Sequence, residues 1–270
     1  MRAEEEIRRI VQFHHRVPGK PLSGFVKLFW HWSGHPQPYA RERILPMGSV
    51  ELVIRLNNPR VSQSGITGPR SESFLIERRA TDNLLGVHFK PGGAFPFLGF
   101  SYSELHNKHI TLSELWGERR ADRLLCLLNE APTVDQKFRT LERWLLGIAN
   151  HPFHHHPAVT FALDKFRNEP SISSSSDVAH SIGFSQRRFI ELFRSEVGMT
   201  PKLFCRVERF QQVIHAIGQK SEIDWVDLAL DNGYSDQSHF NHDFREFSGL
   251  RPTEYLGLRT ANHGHVQYPE

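Results

Sequence analysis

Histidines crowd the segment "NHPFHHHP" (Asn150–Pro157), at His151, His154, His155 and His156. Imidazole is a common metal ligand. Neighbouring histidines on a proline-flanked loop nevertheless lack the fixed offsets that a structural zinc site takes from a helix or knuckle. The segment reads instead as a solvated linker. The two cysteines, Cys126 and Cys205, sit far apart in no paired motif, so they build neither a disulfide scaffold nor a zinc ribbon. "KPGG" (Lys90–Gly93) is a tight turn without the Gly-Lys-Ser/Thr of a phosphate loop. Residues 20–100 hold no His-x-His plus Glu metal set, and no nucleophile–base pair can be named. No catalytic residue, metal or cofactor is expected.

Aromatics are dense near the N-terminus: Phe25, Phe29, Trp30, Trp32, Tyr39, Phe89, Phe95, Phe97 and Phe100. Aromatics at alternating spacing are most simply the packing of a β core. If some of them instead line a pocket for a small effector, Trp30, Trp32, Phe89 and Phe95 are the candidates.

The strongest pattern is a repeat. "SSSDVAHSIGFSQRRFIELFRSEVGMTP" (Ser174–Pro201) and "DWVDLALDNGYSDQSHFNHDFREFSGLRP" (Asp224–Pro252) have the same plan. Each opens on a capping residue with a carboxylate three positions on, Ser174 with Asp177 and Asp224 with Asp227, which suits the positive end of a helix. A small residue follows where two helices cross closely, Ala179 and Ala229. Four positions later a glycine permits a tight turn, Gly183 and Gly233, and an aromatic seals it, Phe184 and Tyr234. A second helix then starts at Ser185 and at Ser235. Its buried face shows Phe189, Leu192 and Phe193 in one copy and Phe240, Phe244 and Phe247 in the other. Both end at glycine with proline beyond, Gly198 with Pro201 and Gly249 with Pro252. The second copy holds one extra residue, between Gly233 and Phe240. Between the copies, Leu203, Val207, Phe210, Ile214 and Ile217 make one stripe along a helix over 202–217. One such hairpin is weak evidence; two at matched spacing on a continuous rod are strong.

The elements ahead of the repeat look different. "SVELVIRL" (Ser49–Leu56) and "NLLGVHF" (Asn83–Phe89) are β-strand patterns. Turn clusters surround them at "HPQP" (His35–Pro38), "LNNP" (Leu56–Pro59) and "SGITGP" (Ser64–Pro69). Two amphipathic helices follow, over 112–129 and 134–148. Of the 270 residues, 39% are hydrophobic and 23% charged, a balance that supports packed cores. No apolar run reaches membrane-spanning length, and the N-terminus has no apolar signal region, so a cytoplasmic location is expected. Residues 1–150 hold 21 Lys and Arg against 15 Asp and Glu, whereas residues 151–270 hold 12 against 15. Bulk charge therefore does not single out the repeat as a nucleic-acid binder, and the argument rests on pattern.

Over 159–256 the sequence resembles the AraC/XylS family of bacterial transcription regulators. "GYSDQSHFNHDFREFSGLRPTEY" (Gly233–Tyr255) matches the family signature, and "PKLFCRVERF" (Pro201–Phe210) its linker helix. "LPMGSVELVI" (Leu45–Ile54) and "GVHFKPGGAFPFLG" (Gly86–Gly99) resemble the sensor domain of an uncharacterised branch. The resemblance implies an α+β protein. Residues 1–150 would be a small cupin-like β-barrel with two C-terminal helices, and 151–158 a linker. Residues 159–258 would be an all-α domain of two helix-turn-helix units joined by a long helix, and 259–270 a tail. Two recognition helices, near 185–196 and 235–247, would read successive major-groove segments of double-stranded DNA. Carried over by position, the base readers are Gln186, Arg187, Ile190 and Glu191 in the first and Gln237, Ser238, His239 and His242 in the second. Arg188, Arg194 and Arg245 would hold phosphates. Glu191 and His242 stand where the family more often has basic or neutral polar residues.

The resemblance also implies a small effector, RNA polymerase and a second copy of the chain as candidate partners. Self-association would use surface left over on the two helices of residues 112–148, with Trp116, Leu124, Leu128, Trp144 and Ile148 the residues in question. An effector-independent adaptor or nucleoid protein is the alternative. A DNA-repair alkyl transferase carrying the same DNA-binding unit would need a four-cysteine zinc site that two cysteines cannot supply.

Overall fold

The computed structural model describes residues 12–34, 41–56, 64–77, 82–168, 175–219, 222–260 and 264–268. The turn at 35–38, Tyr39, most of the turn at 56–59, and Ser174 lie outside the described residues. The chain divides into two compact units. One comprises residues 1–40, 49–68 and 78–154, the other 41–48, 69–77 and 155–270.

The first unit is built on six strands: β1 (Gln12–Arg16), β2 (Val26–Ser33), β4 (Glu51–Arg55), β5 (Gly65–Thr67), β7 (Asn83–Phe89) and β8 (His109–Thr111). They pair antiparallel in the order β1-β2-β7-β4-β5-β8. β7 is central, and its near-continuous apolar run is buried on both faces. On one face Phe29, Leu52, Ile54, Leu85, Val87 and Phe89 meet a helical layer. The layer consists of α1 (Leu112–Trp116), α2 (Glu118–Glu130) and α3 (Val134–Ile148). On the other face Trp30 lies over its cross-strand partner Gly86, where a Cβ would stand 2.1 Å from the indole.

The α+β class is as expected, but the strands form an open sheet with edges β1 and β8 among the described residues. Two strands that could have continued it, β3 (Arg41–Ile44) and β6 (Phe74–Glu77), pair instead with β9 (His265–Gln267) in a second sheet of order β6-β3-β9. The single helix expected over 112–129 is broken. Thr111 and Glu114 form a capping box at α1, and Gly117 at φ 83° turns the chain before α2 begins. The helix over 134–148 has the expected bounds, capped by Thr133 with Gln136.

Apolar surface on α2 and α3 is largely consumed by the core. Leu124 and Leu128 are fully buried, and Trp116, Trp144 and Ile148 pack against the same cluster. Leu124 and Leu128 are thus spent on the core, whereas Trp116, Trp144 and Ile148 remain partly exposed.

Among the described residues the second unit contains β3, β6, β9 and seven helices: α4 (Pro157–Asn168), α5 (Ser175–Ser181), α6 (Gln186–Val197), α7 (Pro201–Gln219), α8 (Trp225–Asp231), α9 (Gln237–Ser248) and α10 (Pro252–Leu258). "NHPFHHHP" holds the boundary between the two units, with Asn150, Pro152, His154 and His156 exposed and the residues between them engaged. The amides of Asn150 and His151 donate to Pro96 O at 2.8 and 3.3 Å, His151 stacks on Phe95, and Phe153 packs edge-on against Phe25 and Phe97. From His155 onward its residues belong to the second unit.

His31 on β2 is 5% exposed and its Nε2 bonds Asn83 Oδ1 at 2.7 Å. Burial lowers its pKa, with His14 and Lys137 acting in the same direction against the Asn83 bond. The unfolded chain therefore takes up this proton first. The stabilising neutral state is complete above about pH 7 and is lost as pH falls through 6.5, with a slope of at most about 1.4 kcal/mol per pH unit for one group. Urea unfolding followed by tryptophan fluorescence should show the first unit weakening between pH 7.5 and 5.5, and His31→Gln should flatten that dependence.

Candidate nucleic-acid interface

The two helical hairpins superimpose in sequence once their caps are known. In the first, α5 leads through Gly183, at φ 69°, to α6, whose N-cap Ser185 accepts from the Arg188 amide at 3.4 Å. In the second, Asp224 caps α8 by accepting from the Val226 and Asp227 amides at 2.8 and 3.1 Å, and Gly233 turns at φ 77°. The cap of α9 is Asp236, accepting from the His239 amide at 2.8 Å, and not the expected Ser235. A carboxylate beside the positive helix end out-competes the neighbouring hydroxyl, and the Ser235 hydroxyl bonds Asp236 instead. This accounts for the extra residue in the second copy. Each recognition helix then has 12 residues and ends on a left-handed glycine, Gly198 or Gly249.

With the caps aligned, Phe189 corresponds to Phe240 and Phe193 to Phe244, all fully buried. Opposite these, Gln186, Arg187, Glu191 and Arg194 are exposed and Ile190 is half-buried. The same positions of α9 hold Gln237, Ser238, Asn241, His242 and Arg245, all exposed. Both sets fall at i, i+1, i+4, i+5 and i+8, one face of a helix. Asn241 is absent from the residues named by sequence, although it is the counterpart of Ile190. The constant offset from Ser185 and Asp236 onward was the signal that could have found it.

One residue expected to hold phosphate, Arg188, and one expected to read bases, His239, also pack against the turn before their helix. The Arg188 guanidinium lies 4.7 Å over the Phe184 ring. Its counterpart His239 packs edge-on against Tyr234, with Nδ1 3.1 Å from Ser235 Oγ. Both side chains brace the turn before their helix. Arg187 Nε donates to Glu191 Oε1 at 2.9 Å, which raises the arginine's pKa further. Both partners are well exposed, so this pair holds the face only loosely.

α7 carries both hairpins. Phe204 meets Phe193, and Phe210 meets Phe244 and Phe247 with ring centroids 5.4 and 5.3 Å apart. Arg206 of α7 fixes α9 by charge. Its Nη2 donates to Asp243 Oδ1 and Glu246 Oε2, both at 2.7 Å, while the guanidinium covers the Phe247 ring. Asp243 is 2% exposed, and the hydrogen bond to it raises the Arg206 pKa. His242, Asp243 and Glu246 place donor atoms within 4.8 Å of one another, a cation-binding grouping whose carboxylates already hold Arg206. α6 is held differently: buried Glu196 accepts from His155 Nδ1 at 2.9 Å and from the His156 amide.

The effector candidates of the first unit do not converge. Trp30 and Trp32 point to one face of the six-stranded sheet, Phe89 is buried in the core on the other, and Phe95 follows β7 and stacks on His151. The core reading holds for Phe25, Phe29, Phe89 and Phe97, all under 5% exposed.

Two family models match the chain. Residues 178–257 match a helix-turn-helix domain, and residues 14–111 match a domain of unknown function. The HTH-type transcriptional regulator ExsA of Pseudomonas aeruginosa is 31% identical over 78 residues, which are 29% of this chain and 28% of that protein. An uncharacterized HTH-type transcriptional regulator of Haemophilus influenzae is 31% identical over 71 residues, 26% and 24% of the two chains. The matched part thus spans about a quarter of the length of these curated relatives. ToxT from Vibrio cholerae covers 92% of this chain and 97% of its own at 12% identity, with a TM-score of 0.42. Its structure with a bound unsaturated fatty acid gives 0.39 at 12% identity, over 91% and 94%. Among the described residues no helix is long and apolar enough to cross a membrane.

The Arg206 clamp yields a test. Arg206→Met leaves the Asp243 carboxylate buried without its counter-charge and should destabilise the second unit by about 3 kcal/mol in urea unfolding. Leu192 occupies the matching position of α6, so Arg206→Met with Asp243→Leu should recover most of that loss.

Proposed function

We propose that this chain, whose residues 178–257 are an AraC-type helix-turn-helix domain, is a DNA-binding transcription regulator. It places α6 and α9 in successive major-groove segments on one side of the duplex. The observation that carries this reading is the pair of 12-residue helices in matched register, each exposing the same face, on the shared rod α7.

The base readers are then Gln186, Arg187, Ile190 and Glu191 in one segment and Gln237, Ser238, Asn241 and His242 in the next. Arginine forks onto guanine N7 and O6; asparagine and glutamine pair with adenine N6 and N7; glutamate accepts from cytosine N4. Arg194 and Arg245, in the last turns of their helices, take phosphates. Arg188 and His239 hold the turns and sit beside the backbone. His242 lies on the same exposed face and contributes a further polar contact.

Double-stranded DNA is the partner this reading requires, and it goes with a cytoplasmic location. RNA polymerase and a second copy of the chain are further partners. Control by a small effector through the first unit draws support from Trp30 and Trp32, half-buried on the sheet face away from the helices. Regulation without an effector draws support from Phe89, which is spent on the core.

Two recognition helices on one rod should protect a non-palindromic stretch of roughly 20 bp per monomer, with half-sites about 10 bp apart. A footprint of one short segment per monomer argues against two active units. Arg187→Ala should cost roughly 1–3 kcal/mol and relax preference at one base pair. Arg194→Ala should weaken all sequences alike and lower the salt slope by about one. Equal, sequence-independent losses in both variants reassign Arg187 to the backbone.

A further inference from the structure

The second unit contains more chain than its two hairpins. Residues 41–48 and 69–77 lie within the N-terminal match, 14–111, yet they cluster with residues 155–270. β3 pairs with β6 on one side and with β9 on the other, placing Glu42 opposite Gln267, Arg43 opposite Val266 and Ile44 opposite His265. Glu42 is 3% exposed and accepts from His265 Nδ1 at 2.9 Å. The Leu45 amide donates to Gly264 O at 2.9 Å, and Leu45 and Val266 both enter the core of the helical unit. Farther along, the Gln211 amide group donates to Pro46 O, and a Cβ on Gly48 would stand 2.8 Å from the Phe204 ring. A segment of the N-terminal half is thus a built part of the unit that carries the recognition helices.

Arg43 is where that segment reaches α9. Its Nη1 donates to Ser248 O at 2.8 Å. Ser248 is the last residue of α9, and a carbonyl there has no intrahelical amide to serve it. The negative end of the helix dipole favours a guanidinium at this place. Tyr268, just past β9, lies 5.3 Å from the guanidinium and holds it from the other side. Gly249 leaves the room: a Cβ there would come within 2.9 Å of Arg43 Nη1. The equivalent end of α6 is held by Glu196 and His155, from within the helical part of the unit.

We propose that Arg43 is a positioning residue for the second recognition helix, supplied by the N-terminal half of the chain. The inference rests on the reading of α9 as a DNA-contacting helix. Arg43 touches no DNA itself. It fixes the C-terminal end of α9, while Arg206 fixes its middle, so the angle at which α9 presents Gln237, Asn241 and His242 depends on both. Residues 41–48 and 69–77 join the chain of the first unit through the Gly48–Ser49 and Gly68–Pro69 peptide bonds.

The test uses the full chain and a duplex selected by the wild-type protein from a random-sequence pool, with a second duplex in which the half-site read by α9 is scrambled. Arg43→Ala should bind the intact duplex about tenfold more weakly, the scale of one lost charged hydrogen bond. Its footprint should persist over the α6 half-site and fade over the α9 half-site. On the scrambled duplex it should match the wild type. Arg43→Lys, which can still donate to Ser248 O, should recover part of the loss. Tyr268→Ala should reproduce the pattern more weakly, and it carries the comparison if Arg43→Ala loses its helical circular dichroism. Equal affinities of wild type and variants on the intact duplex, or equal losses on both duplexes, overturn the proposal. A wild type that selects no duplex at all overturns the DNA-binding reading, and this inference with it.

Discussion

One helix buried nearly all round is the constraint on which the second unit depends. Phe204, Cys205, Val207, Phe210, Val213, Ile214 and Ile217 of α7 are all under 3% exposed, and they cannot lie on one stripe. A helix apolar on more than one face needs more than one partner. The hairpins α5–α6 and α8–α9 supply two, packing through Phe193 and through Phe244 with Phe247. Neither hairpin is long enough to hold a core of its own. The separation of α6 and α9 is therefore set by packing on a rigid rod, which protein interiors transmit with little slack.

Within each hairpin the determinants are local, which is why the sequence disclosed them. Caps, turn glycines and left-handed C-terminal glycines act over a few residues, so Ser185, Gly183, Gly198, Asp224, Gly233 and Gly249 could be placed by type and spacing alone. The strand over 51–55, the strand over 83–89 and the helix over 134–148 were legible for the same reason. The failures share the opposite cause. Ser235 and Asp236 are both capping residues, and only the electrostatics of the folded helix end chooses between them. Gly117 is tolerable inside a helix by propensity; its φ of 83° reflects the turn needed to lay α2 on the sheet. The pairing of β3 with β9 joins residues more than two hundred positions apart, and the bond between Arg206 and Asp243 joins two helices. No periodicity records such contacts.

The histidine-rich segment shows the same limit from another side. By composition it is polar and proline-broken, which suits a solvated linker. In the fold its side chains are used: His151 stacks on Phe95, Phe153 fills space beside Phe97, and His155 binds the buried carboxylate of Glu196. Glu196 stands where α9 carries Phe247 (counting from the two caps), so the repeat is broken there by a charge. A buried carboxylate needs hydrogen-bond donors, and the histidine and the amide of the segment preceding α4 provide them. A residue that looks anomalous within the repeat is thus explained by chain outside it.

The two recognition faces differ in a way that follows from how each helix is held. α9 spends its acidic residues Asp243 and Glu246 on Arg206, which leaves Gln237, Ser238, Asn241 and His242 as a polar exposed face. α6 has Leu192 at the clamp position, needs no such arginine, and exposes an Arg187–Glu191 pair instead. Under the proposed reading, neutral amides favour adenine, while an arginine beside a glutamate suits guanine next to cytosine. The halves of the binding site would then differ in base composition, and the protein would bind in one direction only.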